Sequence, residues 1–377
     1  MKTNKVLTVL FHGRTVGTLA VNGQGKVAFS YDDDWLERGF SISPFSLPLE
    51  KRVFVPDKMT FQGLFGVFAD SLPDAWGQLL VNRTLKKHGI HAADCNVLDG
   101  LAVVGHTGMG ALCYEPEQRI GTLETSSDWD MMAQECAKIL KTEYSDKLDL
   151  LYRMGGTSGG ARPKVMTNYK GQEWIIKFPA HTDMYNVGKM EYDYSVCAKR
   201  CQIAMTETRL FPSELCDGYF GTVRFDRGKE DGERIHMVSA AALLEADFEQ
   251  PCMDYHDLMK LTKIMTENNK ADMENMFRRA CFNVFAHNRD DHAKNFTFLY
   301  DPETDRWHLS PAYDMTYSST YYGEHTTSVD GNGKNPGEKE LLAVGIKAGI
   351  EKEKCGAVIA EIQKKVHEDL QEYFYMC

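Results

Sequence analysis

Residues 280–316, ACFNVFAHNRDDHAKNFTFLYDPETDRWHLSPAYDMT, restrict this chain more than any other stretch. A helical pattern over 272–287 (Met273, Met276, Phe277, Ala280, Val284) runs into a polar loop, and two apolar segments, 296–300 and 307–309, follow as a short hairpin. Such a chain delivers Asp290 and Asn295 from one loop and brings Asp314 back from the far end of the hairpin. Oxygen ligands so placed suit Mg²⁺, which keeps part of its shell for water and phosphate. A base carboxylate, an amide ligand, a hairpin and a metal-binding carboxylate, in that order, are the layout of phosphoryl-transfer sites, with Asp290 aimed at a substrate hydroxyl. An Asp and an Asn five apart also describe a capped, solvated turn, so the reading depends on a nucleotide site upstream.

The whole chain of 377 residues has room for two or three packed subdomains. A net charge of −11 and a pI near 5.6 argue against a surface that grips nucleic acid by itself; DNA would be reached only through a basic partner. Ten cysteines (95, 113, 136, 197, 201, 216, 252, 281, 355, 377) include no C-x2-C pair and read as reduced, mostly buried thiols. Neither a signal-peptide core at MKTNKVLTVLF nor a run of about 18 apolar residues is present, so a soluble, cytoplasmic protein is expected.

Residues 5–31 alternate as an antiparallel meander with turns at His12-Gly13-Arg14 and Asn22-Gly23, and 35–60 reads as extended. Ser71-Leu72-Pro73-Asp74 opens a helix to about His88, with Trp76, Leu79, Leu80 and Leu85 inward and Gly89 as the stop. A short apolar segment (98–104) and a Gly-rich strand (105–116) follow. Gly105, Gly108 and Gly110 precede no helix that could offer its N-terminus to an anion, which favours a structural role. Ser127 is expected to cap a helix over 129–141, with a domain boundary inside 115–150.

A second informative stretch is RMGGTSGGARPKVMTNYKGQEWIIKFPA, 153–180. Four glycines in the six positions 155–160 surround Thr157-Ser158 and precede strands at 163–167 and 174–178, the second carrying Lys177. Glycine lets backbone N–H groups approach phosphate oxygens, and a strand lysine neutralises them. A hairpin with a flexible lead-in and an exposed lysine accounts for the pattern equally well. Glu191 lies near the start of the next helix, where it would pair with Lys177 or complement the helix dipole. A strand over 218–225 ends in Arg224-Phe225-Asp226-Arg227, where a two-lobed nucleotide fold would place adenine. From 237 onward the chain is helical (239–245, 254–266, 272–287, and 354–374 at the end), with a polar, Gly-rich stretch over 318–340 expected to be mobile.

Taken together these motifs resemble the HipA family, the kinase toxins of bacterial HipBA toxin–antitoxin modules. The match rests on RDDHAKNF (289–296), LSPAYD (309–314), GGARPK (159–164), IIKFP (175–179), RFDR (224–227) and FGVFADSLPD (65–74), and it covers nearly the whole chain. The resemblance implies an α+β fold: a β-rich N-terminal subdomain (1–115), a kinase N-lobe (116–226) and a mostly helical C-lobe (227–377), the last two forming a two-lobed protein-kinase-like core of the phosphoinositide-kinase type.

It further implies an ATP- and Mg²⁺-dependent serine/threonine kinase. Asp290 would be the catalytic base, and Asn295 and Asp314 the Mg²⁺ ligands. Lys177, Gly159 and Gly160 would meet the nucleotide phosphates; Val223 and Phe225 would line the adenine site, Val223 through its backbone, with Asp226 at the ribose. Glu191 would be the ion-pair partner of Lys177. Family members phosphorylate a hydroxyl of their own Gly-rich loop, which ejects the loop and silences the enzyme; counting back from Gly160 places Thr157 at that position, with Ser158 beside it. The implied partners are a small DNA-binding HipB-like antitoxin and a translation-related protein substrate such as an aminoacyl-tRNA synthetase.

Three positions depart from pattern, one of them Val223, which stands where a carboxylate can precede the hinge arginine. Asp291 stands where the family often has glycine, adding a charge that would raise the pKa of Asp290 or recruit a second cation. His292 stands where ordinary protein kinases place a lysine near the transferred phosphate; Lys294 would substitute, or both are structural. The alternatives are a small-molecule kinase, separated by the chemistry of its product, and an inactive pseudokinase serving as a binding module or corepressor, separated by ATP binding without turnover.

Overall fold

Alternating apolar residues between Val6 and Tyr31 fold as the centre of a sheet. Its strands are β1 (Val6–Phe11), β2 (Arg14–Val21), β3 (Val27–Tyr31), β4 (Val53–Phe54) and β5 (Leu112–Glu115), in the order β4-β3-β2-β1-β5. This computed structural model describes residues 3–118, 125–180, 183, 186–228, 232–248, 250, 253–320 and 323–374. Leu7, Val9, Val16, Leu19, Val27 and Phe29 are buried, as period-two alternation requires of a sheet with one face inward. His12 and Gly13 turn β1 into β2 with φ of 47° and 76°. In the following turn the left-handed residue is Gly25 (φ 78°), while the Asn22 carboxamide accepts the N–H groups of Gln24 and Lys26.

The region from 35 to 60 is not extended throughout. Asp32 caps a short helix, Asp33–Arg38, by accepting the Asp34 N–H. The expected helix after Asp74 spans Ala75–Lys87. Residues Val97–Val104 are helical because Asn96 and Asp99 form a capping box, and only Leu112–Glu115 of the Gly-rich stretch is a strand. Asp128, rather than Ser127, caps helix Trp129–Leu140 by accepting the Met131 N–H.

A second sheet, order β6-β7-β9-β8, is built from β6 (Lys164–Tyr169), β7 (Gln172–Lys177), β8 (Thr208–Phe211) and β9 (Tyr219–Val223). Trp76 and Leu80 from helix Ala75–Lys87, Leu151 from helix Leu148–Gly155, and Val165, Trp174 and Ile176 from the sheet share one hydrophobic core. An early helix and the Gly-rich-loop sheet are therefore folded together. Compactness accordingly cuts the chain elsewhere than at 115/116 and 226/227. One unit is 1–188, 210–238 and 242–245; the other is 189–209, 239–241 and 246–377.

In the second unit, Asp254 (with Asp257) and Asn269 cap helices Tyr255–Met265 and Lys270–Phe285. The expected hairpin is Thr297–Asp301 against Arg306–Leu309, with Phe298 opposite Leu309. The closing helix is Lys352–Phe374, and Val358, Ile359, Ile362, Val366 and Leu370 are its buried stripe. Helix Glu338–Lys347 was not anticipated. The stretch expected to be mobile is anchored instead: Thr327–Ser328 pairs in parallel with Met253–Asp254, and His325, Thr327 and Val329 are buried. Tyr321, Tyr322, Cys252 and Cys377 lie outside the described residues. Among the described residues no helix is long and apolar enough to cross a membrane.

Candidate active site

Helix Lys270–Phe285 ends in a sharp turn, with His287 at φ 52°. Asn288 then ties the turn down: its N–H reaches the Asn283 carbonyl, and its carboxamide donates to Asn283 Oδ1 at 2.9 Å and to the Asp314 carbonyl at 3.4 Å. One side chain thus joins the helix end to the segment after the hairpin. Asp290 follows with 61% of its side chain exposed. Asn295, in the turn Ala293–Asn295, donates its carboxamide N–H to the Asp290 carbonyl at 2.8 Å. That bond commits the nitrogen, so the carboxamide oxygen is the end that would face a cation. Asp314, at φ 52°, is close enough to act electrostatically on Asp290.

The Asp290 pKa is raised above the ordinary carboxylate value. Crowding by the protein wall is the largest cause; Asp314 and Asp291 add repulsion, and His292, with Nε2 at 3.9 Å, opposes it. A raised pKa makes a carboxylate a better proton acceptor, and the Asp290–Asp314 repulsion is what a bound cation would relieve. Among the described residues no three His, Cys, Asp or Glu side chains form a ready-made metal site. One carboxylate and one amide suit a cation that arrives with its own phosphate and water ligands.

Asp291 does not face this cluster. Only 1% exposed, it accepts the Tyr255 hydroxyl at 2.9 Å, His325 Nδ1 at 2.9 Å and the Thr327 N–H at 3.1 Å, while the Thr327 hydroxyl donates to its carbonyl. Asn283 donates in turn to the Tyr255 oxygen. The suggested recruitment of a second cation is therefore corrected: the carboxylate is consumed in anchoring 325–327 behind the loop, and its effect on Asp290 is the smallest of those named. His292 and Lys294 meet on Phe248, whose ring lies 5.5 Å from the imidazole and 4.9 Å from the ammonium. Sequence reasoning gave Phe248 no role.

In the first unit the Gly-rich loop packs inward. Thr157 and Ser158 are 8% and 1% exposed; Thr157 donates to the Thr107 carbonyl at 3.1 Å and Ser158 to the Gly155 carbonyl at 2.6 Å. Gly160, at φ 82°, donates its N–H to Asp74 at 2.7 Å, so that N–H does not face a nucleotide phosphate in this conformation. Lys164 was also missed. It is buried, donates to the Gly159 carbonyl at 2.6 Å, and stands directly opposite Lys177 in the β6–β7 register. Residues directly opposite in an antiparallel pair share a face, so two lysines sit side by side next to the loop. Lys177 Nζ lies 5.6 Å from the Phe220 ring centroid.

Glu191 is buried, one turn inside helix Val187–Arg200 rather than at its start, which removes it from the strongest part of the helix dipole. Val223 pairs with Trp174, and the Arg224 N–H donates to the Glu173 carbonyl, so the chain leaves the sheet just before Phe225. Asp226 departs from the expected ribose contact. Fully buried, it accepts from Arg224 Nε and Nη2 at 3.0 and 2.8 Å, Arg227 Nη1 at 2.8 Å and the Gly110 N–H at 2.7 Å. Burial opposes its charge, but the two guanidiniums win and hold its pKa far below the usual carboxylate range. Arg224, Arg227 and Arg234 all donate to the Gly108 carbonyl. The 105–110 glycines thus present carbonyls to arginines, as a structural loop does and a phosphate loop does not.

A model of the HipA N-terminal domain matches residues 7–115, and a model of the HipA-like C-terminal domain matches 156–370. “Putative kinase Y4mE” of Sinorhizobium fredii is 24% identical over 355 residues, covering 85% of this chain and 79% of its own. “Putative kinase Y4dM” of the same organism is 25% identical over 349 residues, covering 86% and 80%. Among solved structures, HipA from the Shewanella oneidensis complex of HipA, HipB and operator DNA superposes with a TM-score of 0.70 at 18% identity, covering 98% of this chain and 91% of that one. That likeness shows the mixed α+β fold.

Proposed function

This chain belongs to the HipA family of toxin–antitoxin kinases, and on that premise we propose that it is an ATP- and Mg²⁺-dependent serine/threonine protein kinase. The observation that carries the reading is the convergence of Asp290, Asn295 and Asp314, with Asp290 exposed and its pKa raised. Asp290 accepts the proton of the attacking hydroxyl, and Asn295 and Asp314 hold Mg²⁺. Lys177 neutralises nucleotide phosphates; Val223 and Phe225 line the adenine. The Mg²⁺–ATP pair supplies the phosphoryl group and charge neutralisation at it. Glu191 is the carboxylate that the family resemblance assigns to Lys177. His292 and Lys294, gathered on Phe248 beside the base, set the charge of the loop.

The substrate in this reading is a translation-related protein, an aminoacyl-tRNA synthetase being the first to test, and the chain also modifies Thr157 or Ser158 in its own loop. A HipB-like basic antitoxin is the partner: the Shewanella protein was solved with HipB and operator DNA, and a chain of net charge −11 reaches DNA through such a partner. The working place is the cytoplasm. Intact mass after incubation with ATP and Mg²⁺, beside Asp290→Asn, tests the reading. A phosphate gained by the wild type alone, mapped to Thr157 or Ser158, is expected. No gain, together with no phosphorylated protein in cell extract, would overturn it, and a phosphorylated metabolite in their place would point to a small-molecule kinase.

A further inference from the structure

Asp74 occupies the N-cap of helix Ala75–Lys87, yet its side chain makes no capping hydrogen bond to that helix. An aspartate at this position ordinarily accepts an N–H from the second or third residue of its own helix. Here the carboxylate turns outward and accepts the Gly160 N–H at 2.7 Å, 86 positions along the chain. The next contact completes a clasp: the Trp76 N–H donates to the Gly160 carbonyl at 3.3 Å, so both polar backbone groups of one loop glycine are held by one helix start. The Trp76 indole N–H adds a bond to the Lys164 carbonyl at 3.1 Å, where the loop becomes β6.

The fit between the helix start and the loop leaves no slack. A Cβ at Gly77 would lie 2.8 Å from the Ser158 carbonyl oxygen and 3.0 Å from that of Gly156; one at Gly155 would lie 2.4 Å from the Lys164 carbonyl oxygen. Such distances are too short for real Cβ contacts, so glycine at 77 and 155 is what lets the loop lie against the helix. Lys164 closes the other side through the Gly159 carbonyl, and a Cβ at Gly160 would meet its Nζ at 2.5 Å. In this clasped form the hydroxyls of Thr157 and Ser158 are buried and donate to carbonyls.

We propose that Asp74 is the positioning residue of the Gly-rich loop: its carboxylate, withheld from its own helix, clamps Gly160 and keeps Thr157 and Ser158 buried, so that releasing this one contact lets the loop swing out and present both hydroxyls. The purpose of the clamp rests on the kinase reading above, but its existence does not. Asp74 is a positioning residue because it acts through the loop backbone and on no reacting atom. The N-terminal subdomain thereby sets the state of the loop, and a phosphate on either hydroxyl would have to displace contacts that Asp74 and Lys164 hold.

The test is hydrogen exchange on the full chain without nucleotide, followed in peptides covering 153–164, for the wild type, Asp74→Ala, Asp74→Asn and Gly160→Ala. Losing a charge-assisted bond to a part-buried N–H implies exchange faster by about tenfold in Asp74→Ala, with an intermediate effect in Asp74→Asn, whose carboxamide oxygen still accepts. Gly160→Ala attacks the clasp from the opposite side and is expected to match Asp74→Ala. Peptides from the β1–β5 sheet should be unchanged, which separates release of the loop from failure to fold. Exchange over 153–164 within twofold of wild type in both Asp74→Ala and Gly160→Ala would overturn the clamp. Titration with an ATP analogue is a separate readout: weaker binding by Asp74→Ala ties the clamp to nucleotide binding, whereas wild type that binds no nucleotide overturns the kinase reading and leaves exchange to decide the clamp.

Discussion

Replacing Asp291 with alanine tests whether the carboxylate beside the candidate base is a structural anchor or a ligand. The change strands three buried donors: the Tyr255 hydroxyl, His325 Nδ1–H and the Thr327 N–H. Each unsatisfied buried donor costs about 1–3 kcal/mol, so the three together cost about 3–9 kcal/mol before the site relaxes. Some relaxation is available because Tyr255 retains the bond from Asn283. The local loss is therefore set at about 3–5 kcal/mol, or two to nearly four orders of magnitude in opening, at about 1.4 kcal/mol per tenfold.

Asp291→Asn keeps an oxygen for the Thr327 N–H and loses mainly the charge assistance, so about 1–2 kcal/mol is expected. The chain folds as two compact units, and one denaturation midpoint would average over both. Hydrogen exchange read peptide by peptide over 287–296 and 323–333 is the suitable assay. Protection should fall in both segments for Asp291→Ala, less for Asp291→Asn, and turnover should drop with nucleotide affinity nearly unchanged, because a displaced base loses rate before binding. The reasoning fails if protection stays within threefold of wild type in Asp291→Ala. It fails in a more informative way if protection is unchanged and Mg²⁺ affinity falls, since the carboxylate would then be a ligand.

Asp290→Asn should fold and bind nucleotide but transfer no phosphate, read by intact mass. A carboxylate whose folded pKa is raised favours the fold when protonated and loses that contribution as pH rises through the folded value. Asp290→Asn should thus be slightly more stable than wild type at pH 7 and equal to it at acid pH, and the acid limb of the wild-type rate profile should lie above the ordinary carboxylate range. Asn295→Ala and Asp314→Ala should each reduce Mg²⁺-dependent nucleotide binding and lower turnover by at least about a hundredfold, read by titration at several Mg²⁺ concentrations. Asp226→Asn should destabilise the first unit by about 3–5 kcal/mol, because two guanidiniums lose their buried counter-charge. Since the folded Asp226 pKa is depressed, its contribution is present above the unfolded value and lost as pH falls below about 4. Acid titration of stability should therefore flatten in that variant.

What could be read from the sequence and what could not divides by how far the decisive partner lies along the chain. Asp290, Asn295 and Asp314 were legible as a group because one helix end, one loop and one hairpin carry them. The β6–β7 hairpin was legible for the same reason, with Lys170-Gly171 at φ 54° and 83° marking its turn. The ribose contact expected of Asp226 came from the resemblance alone, while the Gly110 N–H that completes its burial comes from 116 positions away. Helix Glu338–Lys347 did leave a local signal, Glu340 accepting the Gly337 N–H, but a lead-in rich in Gly and Asn obscured it.

Asp290 and Asp291 show the limit most sharply. They are chemically identical neighbours that composition and charge treat alike, and only the spacing to Asn295 and the family resemblance single out Asp290. In an extended stretch, successive side chains point to opposite sides; Asp290 is exposed and Asp291 is buried. What selects which carboxylate faces outward is the set of groups waiting on the inner side: Tyr255 from one helix, and His325 and Thr327 from a segment beyond the hairpin. A buried carboxylate without those three donors would be left unsatisfied, so the register of the loop follows from them. The polar stretch over 318–340, which has the composition of a mobile connector, is therefore part of what aims the candidate base.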